Sequence, residues 1–281
     1  MKKRIDFPAN RPLVAGIVNA TGDSFSEGSA SVPESTLDRA LQLIDDGADL
    51  LDIGGESTRP GAREVPPEEE CRRILPVIGE VLRLRPGTVV SVDTRNSVTA
   101  QAALEAGAAI VNDVSMLRHD PELKMVVARC EAMLVISHSR GTPLNMTDPV
   151  WHDYGADPVA TVAAELEQAA AEARAAGVAE SDIWLDPGFG FAKSAAQNWE
   201  IMRRIGELSG RYPLFVGVSR KSFFGSLLGR ENPRERAAGT LAAELFLADA
   251  GVAVIRTHDV RALRDALRVR EELAGGPGGK A

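Results

Sequence analysis

Short apolar runs recur along the chain, and eight of them end in a polar side chain. Leu13 to Val18 ends at Asn19, Leu50-Leu51 at Asp52, Val89 to Val92 at Asp93, and Ala108 to Val111 at Asn112. Met133 to Ile136 ends at Ser137-His138 and Ile183 to Leu185 at Asp186. Leu214 to Val218 ends at Ser219-Arg220-Lys221, and Val252 to Ile255 at Arg256-Thr257-His258. Their brevity and β-branched content predict buried strands. Between them the apolar spacing changes. Leu37, Leu41 and Ile44 recur at three and four residues and predict a helix over 34–46, closed by Gly47. Pro66 and the glutamates after it predict a helix over 66–84. Further helices are predicted over 96–106, 157–176, 195–208, 233–250 and 260–273. Gly47, Gly107, Gly177 and Gly251 each separate a helix from the next strand, the usual αβ connection.

Strands alternating with helices imply parallel pairing and right-handed crossovers. Eight such units in 281 residues predict an α/β protein, a (β/α)8 TIM barrel. The interior holds no linker-like stretch, so the barrel is read as one domain over residues 1–274, with 275–281 a disordered glycine-rich tail. A doubly wound open sheet is the alternative. It lacks the G-x-G-x-x-G that a dinucleotide site needs after the first strand. A barrel sets every strand end on one rim, so the eight polar positions become one site.

Bulk composition narrows the partners. A formal net charge of −8 excludes a sequence-independent grip on nucleic acid, while leaving room for a local basic cluster. Cys71 and Cys130 lack metal-ligand spacing and do not fall at strand ends. They read as reduced thiols of a cytoplasmic protein. The N-terminus lacks the apolar stretch of a signal peptide, and no run reaches the length of a membrane span. Glu68-Glu69-Glu70 and Asp45-Asp46 read as solvated helix faces, and His119 and His152 as surface-loop residues.

Several segments carry candidate chemistry. In Gly54-Gly55-Glu56-Ser57-Thr58-Arg59-Pro60-Gly61 the glycines allow close backbone approach, and Arg59 offers a fork of donors suited to phosphate. Taken alone, that loop reads slightly better as a surface turn with an incidental arginine. Asp186-Pro187-Gly188-Phe189-Gly190-Phe191 places a carboxylate beside two aromatics, which suits a flat heterocycle or simply a turn with two core rings. Ser219-Arg220-Lys221-Ser222 opens a helix with cations, which the helix dipole disfavours unless an anion joins them. Arg256 with His258 makes a second anion site. Asn19 can supply an oxygen to Mg²⁺, and Phe25 in the loop after it is a candidate lid residue. Asp93 and Asn112 can accept from ring N–H and amino groups; Asp93 could instead be a helix cap.

Taken together, in this order, Asn19-Ala-Thr-Gly-Asp-Ser-Phe25, Asp52-Ile-Gly-Gly-Glu-Ser-Thr-Arg-Pro-Gly61, Ser91-Val-Asp93-Thr, Asn112-Asp113, Asp186-Pro-Gly-Phe-Gly-Phe191, Ser219-Arg-Lys-Ser222 and Arg256-Thr-His258-Asp resemble the dihydropteroate synthases of the bacterial folate pathway. The resemblance covers roughly the whole chain. It implies a TIM-barrel transferase that joins 6-hydroxymethyl-7,8-dihydropterin diphosphate to 4-aminobenzoate, releases pyrophosphate and is a target of sulfonamides. By resemblance Asp93, Asn112, Asp186 and Lys221 hold the pterin. Thr58, Arg59, Arg256 and His258 hold the diphosphate or its surroundings. Phe25, Pro60, Phe191 and Ser222 shape the aminobenzoate pocket, and Asn19 binds Mg²⁺. Asp93, Asp186, Lys221 and Arg256 are the residues expected to act on the reacting atoms. A homodimer is implied by the resemblance alone.

The chain departs from the family pattern at Gly22, where a proline is usual, at Glu27-Gly28-Ser29, and at Ser137-His138-Ser139-Arg140. Glycine for proline loosens a chain by roughly 1 kcal/mol or less, which predicts a first loop that closes at greater entropic cost. Two other functions fit parts of the pattern. A pterin-binding methyltransferase shares the barrel but has no diphosphate to bind. A catalytically silent paralogue would retain pterin binding alone.

Overall fold

Period-two alternation decides which side of each strand meets which core. In a computed structural model that describes residues 5–20, 34–58 and 61–275, Leu13, Ala15, Leu50, Ile110, Met133, Val135, Trp184, Phe215 and Val254 pack together. Their strand neighbours Val14, Leu51, Val90, Val111, Leu134, Leu185, Val216 and Ile255 belong to a second, larger cluster shared with the helices. The first set fills the inside of a barrel, and the second is the layer between barrel and helices.

The strands are β1 (Leu13–Asn19), β2 (Leu50–Gly54), β3 (Val89–Asp93), β4 (Ile110–Asp113), β5 (Met133–Ser137), β6 (Ile183–Asp186), β7 (Phe215–Val216) and β8 (Val254–Thr257). All pair in parallel, in the order β6-β5-β4-β3-β2-β1-β8-β7. A parallel bridge from Leu185 to Leu214 links β6 to the start of β7 and closes the ring, which excludes the open sheet. β7 is shorter than the predicted run.

The helices are α1 (Glu34–Asp45), α2 (Pro67–Leu84), α3 (Ser97–Glu105), α4 (Leu123–Arg129), α5 (Pro158–Ala175), α6 (Ala195–Arg203), α7 (Ser222–Leu228), α8 (Ala237–Asp249) and α9 (Val260–Leu273). α7 is an extra helix between β7 and the outer helix α8. α4 was not predicted. The helix expected over 195–208 stops at Arg203, short of Gly206, and tightens into a turn over 205–207. That expected over 233–250 begins at 237, after a tight turn opened by Pro233. Among the described residues no helix is long and apolar enough to cross a membrane. The segment 276–281 of the expected tail lies outside the described residues, as do Gly22, Phe25, Arg59 and Pro60.

One expectation fails. Glu70, read as part of a solvated helix face, is fully buried. Gly55 lets α2 approach β2 so closely that a Cβ there would stand 3.0 Å from Glu70 Cγ. Glu70 accepts from Thr94 Oγ1 and Asn96 Nδ2, each at 2.9 Å, and so ties α2 to the loop after β3. Burial raises its carboxyl above the usual range.

Candidate active site

The inward positions change character near the strand ends, from the apolar floor to a polar ring. Asp52 on β2 and Asp93 on β3 lie two and three strands from Arg256 on β8 around the barrel, and both face it across the mouth. Arg256 Nε donates to Asp52 Oδ2, and its Nη2 donates to Asp93 Oδ2 at 2.7 Å. Asn112 Nδ2 also donates to Asp52 Oδ2, at 3.0 Å. Asp52 is thus a buried support for two neighbours. Burial pushes the Asp93 carboxyl up to about 7 although Arg256 pulls it down; Asp52 adds to the rise. Burial opposes the Arg256 charge, yet the two carboxylates hold it above its ordinary range. Asp93 Oδ1, Asn112 Oδ1, Asp52 Oδ1 and Ser91 Oγ are buried with no hydrogen-bond partner among the described residues. Buried acceptors of this kind are costly unless something donates to them.

Asp186 closes the ring on the far side. Its Oδ1 accepts from the Gly188 backbone N–H at 2.8 Å and its Oδ2 from Ser137 Oγ at 3.1 Å. Burial raises its carboxyl, against the pull of the Gly188 N–H and the Lys221 charge. Lys221 precedes α7, and its Nζ stands 4.1 Å over the centre of the Phe191 ring. Phe191 is buried, while Ser222, at the start of α7, is exposed.

Beside this ring runs a basic cleft lined by Asn19, Thr36, Arg39, Arg220, Arg234 and His258. His258 Nδ1 lies 2.9 Å from Ser219 Oγ, and Arg39 donates to the His258 carbonyl. Arg220 holds a left-handed backbone, φ +60°. Its N–H donates to Thr240 Oγ1 at 3.0 Å and its carbonyl accepts from buried Arg236 at 3.0 Å. Loops after the seventh and eighth strands, with a short extra helix, recur as a phosphate site in such barrels. Thr58, expected near the diphosphate, lines a different, smaller cavity with Phe191, Ser139, Pro143 and Met146.

The family profile described as pterin binding enzyme matches residues 15–258. The chain belongs to the pterin binding enzyme family. A dihydropteroate synthase of Neisseria meningitidis serogroup C is 41% identical over 276 residues, covering 96% of this chain and 95% of that one. A solved structure of the Xanthomonas albilineans dihydropteroate synthase with 4-aminobenzoic acid matches with a TM-score of 0.86 and 41% identity, covering 95% of each chain. The same enzyme in complex with 7,8-dihydropteroate matches at 0.83 and 38%, again over 95% of each chain.

In this member of the pterin binding enzyme family, several buried polar groups around the mouth escaped the sequence reading. Arg95 and Glu56 form a buried ion pair, 2.8 Å apart and separated by 39 positions in the chain. Nothing in local spacing signals such a pair. Beneath Asp186, His138 is fully buried between Lys193 and Glu165. Burial, and then Lys193, lower its imidazole to about 3. A histidine at a strand end and a lysine between Ala192 and a helix-capping Ser194 were the available signals. Arg39 and Arg234 sit on exposed faces in sequence terms, and only the fold carries them to the cleft.

Proposed function

We propose that the chain condenses 6-hydroxymethyl-7,8-dihydropterin diphosphate with 4-aminobenzoate, giving 7,8-dihydropteroate and pyrophosphate. One observation carries this reading: buried acceptors without protein partners lie inside the rim, and a basic cleft lies beside them. Asp93 and Asn112 suit the N–H and amino edge of a pterin, with Asp186 and Lys221 completing its surround. The cleft at Arg220 and His258 suits the diphosphate. Methyl transfer has no task for that cleft, which favours the synthase over a pterin-binding methyltransferase.

Chemistry follows from this placement. The C–O bond between the pterin methylene and the diphosphate breaks, and the arylamine nitrogen forms the new C–N bond and releases a proton. Carboxylates at Asp93 and Asp186 favour the positive charge that spreads into the pterin ring as the C–O bond stretches. Arg256 and the cleft residues favour negative charge on the departing diphosphate. Phe191, with Thr58 on the same cavity, provides an apolar wall for the arylamine.

Mg²⁺ is the cofactor we propose. Asn19 offers one hard amide oxygen at the cleft, and a bare divalent ion beside three arginines is repelled unless an anion accompanies it. Asn19 would therefore hold Mg²⁺ together with a bound anion, and the ion would offset charge on the leaving group. We also propose a homodimer. Leu227, Leu228, Phe246, Val269 and Leu273 are exposed apolar side chains on α7, α8 and α9 and are the candidates for its interface. Sedimentation giving a monomer at all concentrations would remove that assembly.

Pyrophosphate release is expected only with both substrates and Mg²⁺ present; pterin binding without turnover would instead mark a silent paralogue. Asp186→Ala should lower kcat/KM for the pterin diphosphate by about a hundredfold. Full activity in that protein would end the role given to the carboxylate.

A further inference from the structure

We infer that Lys193 is a positioning residue: its side chain fastens both ends of the loop that carries Phe191 beneath Lys221, with His138 as the third anchor. The inference rests on the pterin reading of the barrel mouth. It concerns a residue that touches neither the proposed substrates nor the reacting atoms.

An ammonium group has three N–H donors and no acceptor. Lys193 Nζ is buried and meets three acceptors: His138 Nδ1 at 2.9 Å, Gly188 O at 3.1 Å and Phe191 O at 3.1 Å. The match is complete. It also fixes the imidazole, since Nδ1 accepts and Nε2–H must then donate to Glu165 Oε2 at 3.1 Å. Glu165 is held in turn by Arg140, whose guanidinium lies 4.0 Å over the Tyr154 ring. Tyr154 OH donates to Ala192 O at 3.1 Å. Three carbonyls of one loop, at 188, 191 and 192, are therefore pinned from below.

The loop needs pinning. Ala192 holds φ +48°, a conformation that an alanine keeps only when its surroundings impose it. What the loop delivers is the site. Its Gly188 N–H donates to Asp186, and its Phe191 ring lies under Lys221. Gly190 abuts Lys221 so closely that a Cβ would stand 3.2 Å from Lys221 Cδ.

Protonation tunes the clamp. Burial pulls the Lys193 ammonium down to about 7; Asp186 and Glu165 support its charge, and Lys221 and Arg140 oppose it. His138 stays neutral through this range, and Tyr154 presents its ring 5.8 Å from Nζ. A neutral amine has only two N–H donors, so one of the three acceptors loses its partner as pH rises through 7. The stability effect has the opposite sign. Between about 7 and 10.5 the unfolded chain binds the proton that the folded chain has lost, so this residue's contribution to stability rises with pH while loop order falls.

Imidazole ¹⁵N NMR tests this without any substrate. In the wild-type protein His138 should remain the Nε2–H tautomer, and its Nδ1 resonance should move with a midpoint near pH 7. An Nδ1 resonance at the position of an imidazole nitrogen that accepts no hydrogen bond, at every pH, overturns the inference. Kinetics give the second arm. Lys193→Met should lower kcat/KM by about a hundredfold, as displaced reactive groups do, and should erase the alkaline limb of the pH profile. Wild-type kcat/KM with an intact alkaline limb would overturn the inference. If Lys193→Met fails to fold, the hydrogen-bonded position of the wild-type Nδ1 resonance decides. If the wild-type protein has no turnover, the synthase reading fails while the imidazole titration still judges the clamp.

Discussion

Arg256→Met is expected to lose about 3 kcal/mol of folding stability and at least about a hundredfold in pyrophosphate release. The side chain sits between Asp52, which is fully buried, and Asp93, which is nearly so. Methionine fills much of the same space but leaves two carboxylates facing each other in the barrel mouth. Breaking a buried pair from one side leaves an uncompensated charge, and the low end of that range applies because Arg256 is 20% exposed. The pH dependence has a definite sign. The folded Asp93 carboxyl is raised, to about 7, so ionising it works against folding as pH climbs from its unfolded value of 3.8. In the wild-type protein that loss levels off above 7. Without Arg256 the carboxyl rises further, so the variant goes on losing stability above 7 and its deficit widens there. Urea titrations at acidic, neutral and alkaline pH would measure this. A deficit that is constant with pH would show that Arg256 acts by packing alone.

The same residues show what the sequence could and could not reveal. Each polar strand end was visible because an apolar run stopped there, and the pleat then placed Asp52, Asp93, Asn112, Asp186 and Arg256 on the inner face. Alternation in and out of a strand is a local property. The partner of each side chain is not. Arg256 finds Asp52 across 204 positions and Asp93 across 163, distances over which spacing carries no signal. Asp52 was legible as a rim residue but not as the anchor of both Arg256 and Asn112. Glu70 was misread for a similar reason. Its acidic run suggested water, while its turn of α2 was drawn inward by Gly55 against β2. The seven-residue α4 went unseen because so short a segment shows less than two full apolar periods. Lys193 carries no signal in the sequence beyond its place between Phe191 and a helix cap, and its three acceptors come from two separate segments.

Gly188→Ala should abolish pyrophosphate release to below about a hundredth of the wild-type rate, although it adds a single methyl group. Gly188 holds φ +67°, and a Cβ there would stand 1.8 Å from the His138 carbonyl oxygen. A left-handed alanine alone is unfavourable by roughly 1–2 kcal/mol. The contact is the larger effect, because neither side can retreat. The His138 N–H donates to Asp186 O at 2.8 Å, continuing the β5–β6 ladder in which Ser137 pairs with Asp186. Moving His138 strains its ring between Lys193 and Glu165. Moving residue 188 instead withdraws its N–H from Asp186 and shifts the Phe191 ring away from Lys221. Either escape disorders the pterin side of the mouth. Gly251→Ala provides the control. That glycine has φ +80° with nothing within 4 Å, so it meets the left-handed penalty without the collision. Gly251→Ala should melt slightly earlier and turn over normally, whereas Gly188→Ala should lose turnover out of proportion to its melting shift. Equal behaviour of the two proteins would mean that the approach of Gly188 to His138 is incidental to catalysis. Unequal behaviour would tie the rate to the β6 turn itself, since only that turn joins the carboxylate of Asp186 to the aromatic shelf at Phe191.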